Sequence, residues 1–395
     1  MDTDSFYYKP MKKLLFFSLS FFWALGALAQ VDQGRDLSKY ADDKFRDDDK
    51  YSVAEPYQTV SVSQPRSRKI KNVIFMIGDG MGVEQVAVGW VLNGGHLNLD
   101  NFPYVGYSRT YCANKLITDS CAGGTALAIG QKTTYGYMGV DAEGNPVPSI
   151  LRAAQEKGMK TGVAVTCRIN DATPIDFVGH STDRHDEAGI AAQYVDSGVD
   201  FLTGGGRKFW QGREDDRDLV AEMVAKGYTF VDNVEDLNNA SKAPLLGLFA
   251  PLEMEPALDR GPVLEDCAMK AIELLDNRKG FFLMIEGSSI DDWCHRQKVG
   301  HMAEELFDFD RTVGKVLEWA EKDGHTLVIV TADHATGGLT LVGGSLEKRS
   351  VKVHFSTKGH NGILVPVFAY GPHAEDFVGV YENADLSNKV RALLK

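Results

Sequence analysis

Apolar runs that alternate with amphipathic segments constrain the fold of this chain more than any other feature. The strand-like runs span 72–78, 160–166, 199–203, 281–286, 326–331 and 363–370. Helix-like segments lie between several of them, at 149–157, 186–197, 263–277 and 301–322. Nearly continuous apolar strands that alternate with helices are typical of a parallel sheet covered on both faces. The sequence therefore predicts an α/β fold with a predominantly parallel central sheet and helices on both faces.

Two segments stand apart from this alternating pattern. Residues 30–69 are polar and dense in charge, including Asp47-Asp48-Asp49, so we expect an acidic, poorly ordered lead-in. Residues 205–262 interrupt the alternation and are interpreted as a small inserted segment packed on the core. We therefore expect one domain over 70–395 with an insertion around 205–262.

The first 29 residues have the features of an export signal. Lys12-Lys13 precedes an apolar run, and Ala27-Leu28-Ala29 provides small residues for cleavage. Met11 is an alternative start. A membrane anchor is the other interpretation, but the apolar run is short for a bilayer span. We expect residues 1–29 to be a cleaved signal peptide. The mature chain would have no membrane span and a periplasmic or extracellular location.

The net charge and the cysteine content argue against several classes of function. The net charge of −13 argues against a protein that holds nucleic acid or anionic membrane through its overall field. It does not argue against a phosphate substrate, because bound metal ions can invert the local charge of a site. The five cysteines form no CxxC pair, which argues against a cysteine-based metal or redox site. Their odd number leaves at least one thiol unpaired.

Acidic and imidazole groups stand at the ends of three predicted strands. The first strand is followed by Asp79, the strand at 281 ends in Glu286, and the strand at 326 is followed by Asp333 and His334. In doubly wound sheets, ligands bind outside the carboxyl ends of the strands. Each residue alone could be a helix cap or a turn residue. Together they indicate a cluster of metal ligands.

A second set of candidate ligands lies further along the chain. Asp291 and His295 are four residues apart and would share one face of a helix. His360 is predicted to lie in a loop. An isolated histidine is by default a surface or core residue. In contrast, His295, His334 and His360 are accompanied by candidate carboxylate ligands. These three histidines are therefore predicted to bind metal.

Ser120 is the candidate nucleophile. It precedes small residues that open a predicted helix, an arrangement that exposes the hydroxyl and leaves backbone N–H groups available to phosphate. A helix-capping serine without chemistry is the alternative interpretation. The sequence contains no recognisable Ser-His-Asp signature but does contain metal-type ligands. That combination favours a serine activated by coordination to a metal ion.

The chain resembles bacterial alkaline phosphatases from about Lys71 to Gly379, and only loosely between about 207 and 280. The resemblance rests on Asp79-Gly80-Met81-Gly82, Thr118-Asp119-Ser120 with Gly124-Thr125, Asp171-Ala172-Thr173-Pro174 followed by His180 and Arg184, Glu286-Gly287-Ser288-Ser289-Ile290-Asp291 with His295, Thr331-Ala332-Asp333-His334, and His360 ahead of Ala369-Tyr370-Gly371-Pro372-His373. It implies an alkaline phosphatase-like catalytic domain. This domain would hydrolyse phosphate monoesters at alkaline pH through a phosphoserine intermediate, releasing inorganic phosphate and an alcohol. Similar enzymes are usually homodimers.

The resemblance also implies a role for each candidate residue. Two zinc ions and one magnesium ion would bind each chain. One zinc would be held by Asp291, His295 and His360, and the other by Asp79, Asp333, His334 and Ser120. Magnesium would be held by Glu286, Thr173 and Asp79, with Asp171 acting through water. Arg184 would bind the phosphate oxygens through its guanidinium group. His180 is expected to have a structural role.

Two positions depart from the family. Asp292 stands where similar enzymes often carry Lys, Trp or His, and a carboxylate there would repel phosphate or add a metal ligand. Alternatively the local register shifts and Trp293 takes that place. Cys121 directly follows Ser120; a small buried thiol is the expected role, and a competing nucleophile is the alternative.

Other functions remain open from the sequence alone. The nearest is a phosphodiesterase or sulfatase of the same superfamily, although no Cys-x-Pro-x-Arg segment of the sulfatase kind is present. A non-catalytic metal- or phosphate-binding protein is a second alternative, but such a protein would not need an activatable Ser120. An adhesive surface protein is a third, and it is disfavoured because the polar residues converge on strand ends.

Overall fold

The computed structural model describes residues 49–394. The predicted signal peptide, the alternative start at Met11 and residues 30–48 of the predicted lead-in lie outside the described residues. In chain order the described strands are β1 (Lys50–Ser52), β2 (Asn72–Gly78), β3 (Tyr104–Arg109), β4 (Lys160–Arg168), β5 (Phe201–Gly205), β6 (Thr229–Val231), β7 (Leu245–Leu248), β8 (Phe281–Gly287), β9 (Thr326–Thr331), β10 (Ala335–Thr336), β11 (Leu339–Ser345), β12 (Ser350–Phe355), β13 (His360–Asn361), β14 (Val365–Tyr370) and β15 (Gly379–Glu382).

Helices occupy most of the intervals between these strands. The described α-helices are α1 (Val83–Leu92), α2 (Ser120–Ile129), α3 (Ile150–Glu156), α4 (Ala172–Val178), α5 (Glu187–Gln193), α6 (Leu219–Ala225), α7 (Val234–Asn239), α8 (Ala257–Arg260), α9 (Val263–Leu275), α10 (Ser289–His295), α11 (Val299–Asp323) and α12 (Asn383–Leu393). Short 3-10 helices lie at Asn98–Asn101, Tyr194–Asp196, Arg207–Phe209 and Ala374–Phe377.

The central sheet has 10 strands in the order β15-β3-β14-β9-β2-β8-β4-β5-β7-β6. Strand β14 is antiparallel to both of its neighbours, β3 and β9. The other described pairs in this sheet are parallel. The predicted α/β fold with a predominantly parallel sheet is therefore confirmed.

Both faces of the sheet are covered. Every residue of β2 is buried, and its side chains alternate between two apolar clusters. Ile74 and Met76 belong to the cluster that contains the apolar faces of α9 and α11. Phe75 and Ile77 belong to the cluster that contains residues of α2, α3 and α12. This alternation explains why the central strands are nearly continuous apolar runs in the sequence.

Two smaller sheets flank the central one. Strands β1, β12 and β11 form a three-stranded antiparallel sheet. Strands β10 and β13 form a two-stranded antiparallel ladder in which Thr336 pairs with His360. That ladder brings His360, which follows a loop, next to the residues that come directly after β9.

Residues 49–69, the described part of the predicted lead-in, are attached to the domain by hydrogen bonds. The physical reason is that asparagine side chains accept hydrogen bonds from the backbone N–H groups of this segment, as the backbone of a neighbouring strand would do. Asn93 Oδ1 accepts a hydrogen bond from the Tyr57 backbone N–H at 2.8 Å. Asn98 Oδ1 accepts one from the Val60 backbone N–H, also at 2.8 Å.

The segment 205–262, interpreted from the sequence as an insertion, extends the central sheet. Strand β7 pairs in parallel with β5, and β6 pairs in parallel with β7. These strands have only 4 and 3 residues, which is too short to give a recognisable apolar run. The segment therefore forms the edge of the sheet as well as the helices beside it.

The cysteines are packing residues in this fold. All five are buried and unpaired, which confirms that at least one thiol is free. Burial raises the pKa of the Cys121 thiol well above its ordinary value, so Cys121 is a small buried side chain as expected. Among residues 49–394, none of the helices combines the length and apolar character needed to span a membrane.

Candidate active site

Ser120 is the first residue of α2, and the preceding residue caps that helix. Asp119 Oδ1 accepts hydrogen bonds from the backbone N–H groups of Ala122 and Gly136, each at 3.2 Å. The residues that follow Ser120 are small because α2 packs closely against the loop after β9. A Cβ atom at Gly123 would lie 2.9 Å from the backbone oxygen of Asp333. This packing brings Ser120 next to the predicted metal ligands.

The predicted ligands at the strand ends meet at one edge of the sheet. Strand β2 lies between β9 and β8, and Ile77 pairs with both Thr331 and Glu286. Asp79 and Asp333 directly follow the ends of β2 and β9. The prediction that parallel strands deliver these side chains to the same edge is therefore correct.

One group of candidate ligand atoms contains Asp291, His334 and His360, whose ligand atoms all lie within 4.8 Å of one another. His360 Nε2 is 3.7 Å from Asp291 Oδ1. His295, one helical turn after Asp291 on α10, joins this group, since its Nε2 is 3.0 Å from Asp291 Oδ2. The rings of His334 and His360 are stacked with centroids 3.5 Å apart.

The ring nitrogens of His295 and His360 show what this group can bind. Their Nδ1 atoms contact the backbone carbonyl oxygens of Lys358 and Thr118 respectively, so the Nδ1 protons are placed to donate there. When both rings are neutral, the Nε2 atoms carry lone pairs, and these two atoms lie 3.1 Å from each other. Two converging lone pairs beside a carboxylate are the arrangement of a metal site, with the Nδ1 contacts fixing the ring orientations.

A second group contains Asp79, Asp333 and His334. His334 Nε2 is 3.1 Å from Asp333 Oδ2 and 3.6 Å from Asp79 Oδ1. The same nitrogen is 3.2 Å from Ser120 Oγ. The candidate nucleophile therefore belongs to this group, and His334 lies between the two groups.

The acidic residues of the site repel one another. Burial, together with the negative charges of Asp333, Asp291 and Glu286, raises the pKa of Asp79 well above its ordinary value. Burial and the charge of Asp291 raise the pKa of Asp333 to about 7. Burial and the charges of Asp333 and Asp171 raise the pKa of Glu286 to about 8. Divalent cations would remove this repulsion.

Unsatisfied oxygen atoms give an independent test of that fit. Asp79 Oδ1, Asp333 Oδ2 and Thr173 Oγ1 are buried and make no hydrogen bond within the described residues. Buried polar atoms are almost always paired, so each of these oxygens requires a partner that the protein does not supply. Carboxylate and hydroxyl oxygens beside imidazole nitrogens are ligands that suit zinc and magnesium.

The predicted magnesium ligands do not all fall within the two groups of candidate ligands described above. Asp171 caps α4, and Thr173 lies in the first turn of that helix. Asp171 and Glu286 belong to neither of the two groups of candidate ligands found among residues 49–394. Burial opposes ionisation of Asp171, but Arg168 and Arg184 outweigh it and lower the pKa of this carboxyl.

Arg184 approaches the site from the side of Asp119 and Asp171. Its Nη2 atom is 3.5 Å from Asp171 Oδ1, and its Nη1 atom is 3.9 Å from Asp119 Oδ2. Two carboxylates thus orient the guanidinium group beside Ser120. His180 is elsewhere, with Nδ1 at 2.5 Å from the backbone oxygen of Gly139.

Two residues that support the site were not identified from the sequence. Arg168 Nη2 lies 3.2 Å from Asp171 Oδ2, whereas Arg184 contacts the other oxygen of that carboxylate. Thr336 Oγ1 donates a hydrogen bond to Asp291 Oδ1. Each residue acts through a candidate ligand residue, Arg168 through Asp171 and Thr336 through Asp291, and neither belongs to a sequence motif that marks a site.

Trp293 does not take the position next to phosphate that one interpretation assigned to it. Its side chain is buried and stacks on the ring of His301 with centroids 4.1 Å apart.

Asp292 is only partly buried. Burial raises the pKa of Glu253 to about 7, and the negative charges of Asp171 and Asp292 add to the rise.

Comparison with known proteins assigns this site to a family. The family model described as alkaline phosphatase matches residues 70–350. The chain belongs to the alkaline phosphatase family. It is accordingly a metal-binding hydrolase that cleaves phosphate monoesters, as the sequence predicted.

Individual relatives agree with this assignment. Alkaline phosphatase 4 of Bacillus subtilis is 33% identical over 435 residues, which cover 87% of this chain and 94% of the relative. The alkaline phosphatase of Escherichia coli is 32% identical over 422 residues, covering 85% and 89% of the two chains. The solved structure of alkaline phosphatase from the Antarctic bacterium TAB5 superposes with a TM-score of 0.78 at 35% identity, covering 82% of this chain and 98% of that one. A mutant of that enzyme has been solved with Mg bound.

Proposed function

We propose that this alkaline phosphatase hydrolyses phosphate monoesters through a phosphoserine intermediate on Ser120. The observation that carries the proposal is the 3.2 Å contact between Ser120 Oγ and His334 Nε2. His334 belongs to both groups of candidate metal ligands. The Ser120 hydroxyl therefore lies at the junction of the two groups of candidate ligands. Metal ions bound there would stabilise its deprotonated form.

The residues of this chain would act in a fixed sequence. Arg184 binds two oxygens of the phosphoryl group through its guanidinium fork. The oxygen of Ser120 attacks phosphorus, the bond from phosphorus to the ester oxygen breaks, and the alcohol leaves. A water molecule then attacks the phosphoserine, which releases inorganic phosphate and regenerates Ser120. Throughout, the N-terminus of α2 presents backbone N–H groups to the anion.

The donor set suits two zinc ions and one magnesium ion. Asp291, His295 and His360 would hold one zinc. Asp79, Asp333, His334 and Ser120 would hold the second. Glu286, Thr173 and Asp79 would hold magnesium, with Asp171 acting through water. When bound, these ions would lower the pKa of the nucleophile and offset negative charge on the transferring phosphoryl group. Because the carboxylate and imidazole ligands must be deprotonated to bind metal, we expect activity at alkaline pH.

The location and assembly of the enzyme are part of the same proposal. The signal-like segment over residues 1–29 supports export, with the mature chain acting in the periplasm or outside the cell. A homodimer is the expected assembly by similarity to the family.

The experiment that tests the proposal compares three substrates. Metal-stripped protein is assayed with p-nitrophenyl phosphate, bis-p-nitrophenyl phosphate and p-nitrophenyl sulfate, before and after zinc and magnesium are added. We expect restored activity at alkaline pH on the monoester, well above that on the diester and the sulfate. A diester or sulfate preference would move the chain elsewhere in the superfamily.

Two serine variants then test the nucleophile. Ser120→Ala removes the attacking oxygen and is expected to lose most turnover, whereas Ser345→Ala, in strand β11, serves as the control and keeps it. Acid-quenched wild-type protein should carry one phosphoryl group on the peptide that contains Ser120. Phosphate found on another residue, or full activity in Ser120→Ala with zinc still bound, would refute the assignment.

A further inference from the structure

We propose that Glu253, a residue of the segment 205–262, is a positioning residue for phosphate binding at Arg184. It acts through a line of four side chains of alternating charge, here called the ion-pair chain, which consists of Glu253, Arg168, Asp171 and Arg184. The inference rests on the proposed function, because it takes Arg184 as the residue that binds the phosphoryl group. It extends that function by giving the segment 205–262 a part in phosphate binding.

The ion-pair chain is continuous from the segment 205–262 to Arg184. Arg168 Nη1 is 3.0 Å from Glu253 Oε1, and Arg168 Nη2 is 3.2 Å from Asp171 Oδ2. The other oxygen of Asp171, Oδ1, is 3.5 Å from Arg184 Nη2. Each of the two middle side chains therefore contacts one neighbour with one terminal atom and the other neighbour with the second. A change in the position of Glu253 is passed on to Arg184 through these contacts.

The pair between Glu253 and Arg168 is largely shielded from water. The side chain of Arg168 is 11% exposed and that of Glu253 is 16% exposed. Partly buried pairs are screened by water and salt much less than pairs on the surface. Burial raises the pKa of Glu253 to about 7, so its carboxylate is ionised at the alkaline pH at which we expect the enzyme to act.

Backbone contacts hold Glu253 in place on both sides. The Met254 N–H donates a hydrogen bond to the backbone oxygen of Thr166, in strand β4, at 3.1 Å. The backbone oxygen of Leu252 accepts one from the Gly206 N–H at 2.8 Å. A Cβ atom at Gly205 would overlap that same oxygen of Leu252, so the close approach requires a glycine. Glu253 therefore extends from backbone that is fixed to the central sheet.

A buried ion cluster fixes the chain a few residues further on. Arg260 Nη2 is 2.7 Å from Glu305 Oε2 and 2.6 Å from Asp308 Oδ2, and all three side chains are buried. Glu305 Oε1 also accepts a hydrogen bond from the Ala257 N–H at 3.0 Å. These contacts attach the start of α8 and its end to α11. The loop that carries Glu253 is thus anchored at both ends, as a residue that orients another side chain requires.

Removal of the Glu253 charge should change the orientation of Arg168 without preventing folding. Arg168 Nη1 is also 3.8 Å from Glu187 Oε1. Without the carboxylate of Glu253, the Arg168 guanidinium keeps two acidic partners, so no buried charge is left unpaired. Its Nη1 atom would turn toward Glu187, and the contact of Nη2 with Asp171 would change with it.

The test measures inhibition by inorganic phosphate in Glu253→Gln, with p-nitrophenyl phosphate as substrate. We expect the inhibition constant and KM to rise together by about fivefold, the effect of about one net hydrogen bond. The value of kcat should change little, as for the loss of a contact made equally with bound substrate and transition state. Glu214→Gln, at an exposed position of the same segment, is the matched control and should leave all three constants unchanged. Unaltered zinc content and unfolding midpoint show that each variant is folded.

A double-mutant cycle distinguishes positioning from a general effect on the fold. Glu253 reaches Arg184 through Arg168, so Glu253→Gln should have no further effect on the phosphate inhibition constant when Arg168→Gln is already present. A purely structural role of Glu253 would instead make the two effects additive. Additive effects, or an unchanged inhibition constant in Glu253→Gln, would overturn the inference.

Arg184→Ala separates this inference from the proposed function. A raised phosphate inhibition constant in Arg184→Ala and in Glu253→Gln, with the second effect absent in the Arg168→Gln background, supports the ion-pair chain. A rise in Arg184→Ala alone overturns the ion-pair chain and leaves the proposed role of Arg184 standing. An unchanged inhibition constant in Arg184→Ala refutes that role of Arg184 and the inference together.

Discussion

Gly80 lies directly against the side chain of Asp291. A Cβ atom at Gly80 would be 2.8 Å from Asp291 Oδ1 and 2.9 Å from Asp291 Cα, and the backbone of Gly80 has a φ of +68°. The turn after β2 can therefore reach the start of α10 only because position 80 has no side chain. This close approach brings two groups of candidate metal ligands, one from each element, to a common site.

Gly80→Ala should displace Asp291 and abolish most metal binding and activity. The added methyl group would overlap backbone as well as carboxylate, so the loop cannot yield by rotating one side chain. Gly212→Ala is the matched control, because Gly212 has a φ of +66° with nothing within 4 Å of a Cβ atom. Both variants carry the strain of a left-handed backbone, about 1 kcal/mol, but only Gly80→Ala adds the overlap. Equal zinc content in the two purified variants would contradict this explanation.

The metal-free protein should lose stability as pH rises from about 5 to 9. The pKa values of Asp333 and Glu286 are raised to about 7 and about 8 by burial and by neighbouring negative charges. In the unfolded chain these groups titrate near pH 4. The unfolded state therefore releases protons at lower pH than the native state, and stability falls across the interval between the two pKa values.

His295 acts in the same direction. Burial opposes its charge, but Asp291 outweighs burial and raises the pKa of His295 to about 9. Its contribution to stability is complete below its unfolded pKa, near 6.5, and is lost as pH rises through 9. Urea unfolding of metal-free protein at several pH values measures the sum of these effects.

Addition of zinc and magnesium should reverse the loss of stability at alkaline pH, because the cations neutralise the carboxylates. Glu286→Gln should make the metal-free protein more stable than wild type at pH 9, whereas Glu235→Gln, an exposed position, should have no effect. Metal-free stability that increases between pH 6 and pH 9 would show that the carboxylates do not repel one another as described.

The positions of Asp79, Glu286 and Asp333 could be predicted because they depend on local patterns. Each stands at the end of a strand whose apolar run is visible in the sequence, and parallel strands deliver their carboxyl ends to one edge. The pairing of Asp291 with His295 was predictable for a similar reason, since four residues on a helix place both on one side.

The features that could not be predicted depend on contacts between distant segments. Strands β6 and β7 are too short to be recognised without the sheet that they extend. The attachment of residues 49–69 depends on asparagines such as Asn93 and Asn98, which in sequence are ordinary loop residues. Trp293 is drawn into the core by stacking on His301, and no local pattern reveals that partner.

Arg168 should act as a positioning residue for phosphate binding. Asp171 lies between two guanidinium groups, with Arg168 Nη2 3.2 Å from Oδ2 and Arg184 Nη2 3.5 Å from Oδ1. Arg168→Gln would leave Asp171 held from one side only, and Arg184 would lose its orientation. We expect kcat/KM for p-nitrophenyl phosphate to fall about tenfold, the value of one hydrogen bond to a charged group.

The readouts for Arg168 distinguish positioning from simple loss of stability. The inhibition constant of inorganic phosphate should rise together with KM in Arg168→Gln, and Arg168→Lys should recover part of the loss. Arg217→Gln is the control, because Arg217 pairs with Glu222 at 2.7 Å on the surface. An unchanged phosphate inhibition constant in Arg168→Gln would remove Arg168 from the phosphate site.

Asn98 should be the main attachment point for residues 49–69. Its side chain is buried, accepts a hydrogen bond from the Val60 N–H at 2.8 Å, and donates one to the backbone oxygen of Asp310 at 2.8 Å. Asn98→Ala leaves both partners unsatisfied, which should lower the free energy of unfolding by about 2 kcal/mol. Asn239→Ala, an exposed position at the end of α7, should change it by less than about 0.5 kcal/mol. Because Val60 and Asp310, the partners of the Asn98 side chain, are not candidate ligands, kcat/KM of the folded Asn98→Ala protein should stay at the wild-type value. Faster proteolysis between residues 53 and 69, with unaltered turnover, would show that this segment stabilises the domain without taking part in catalysis.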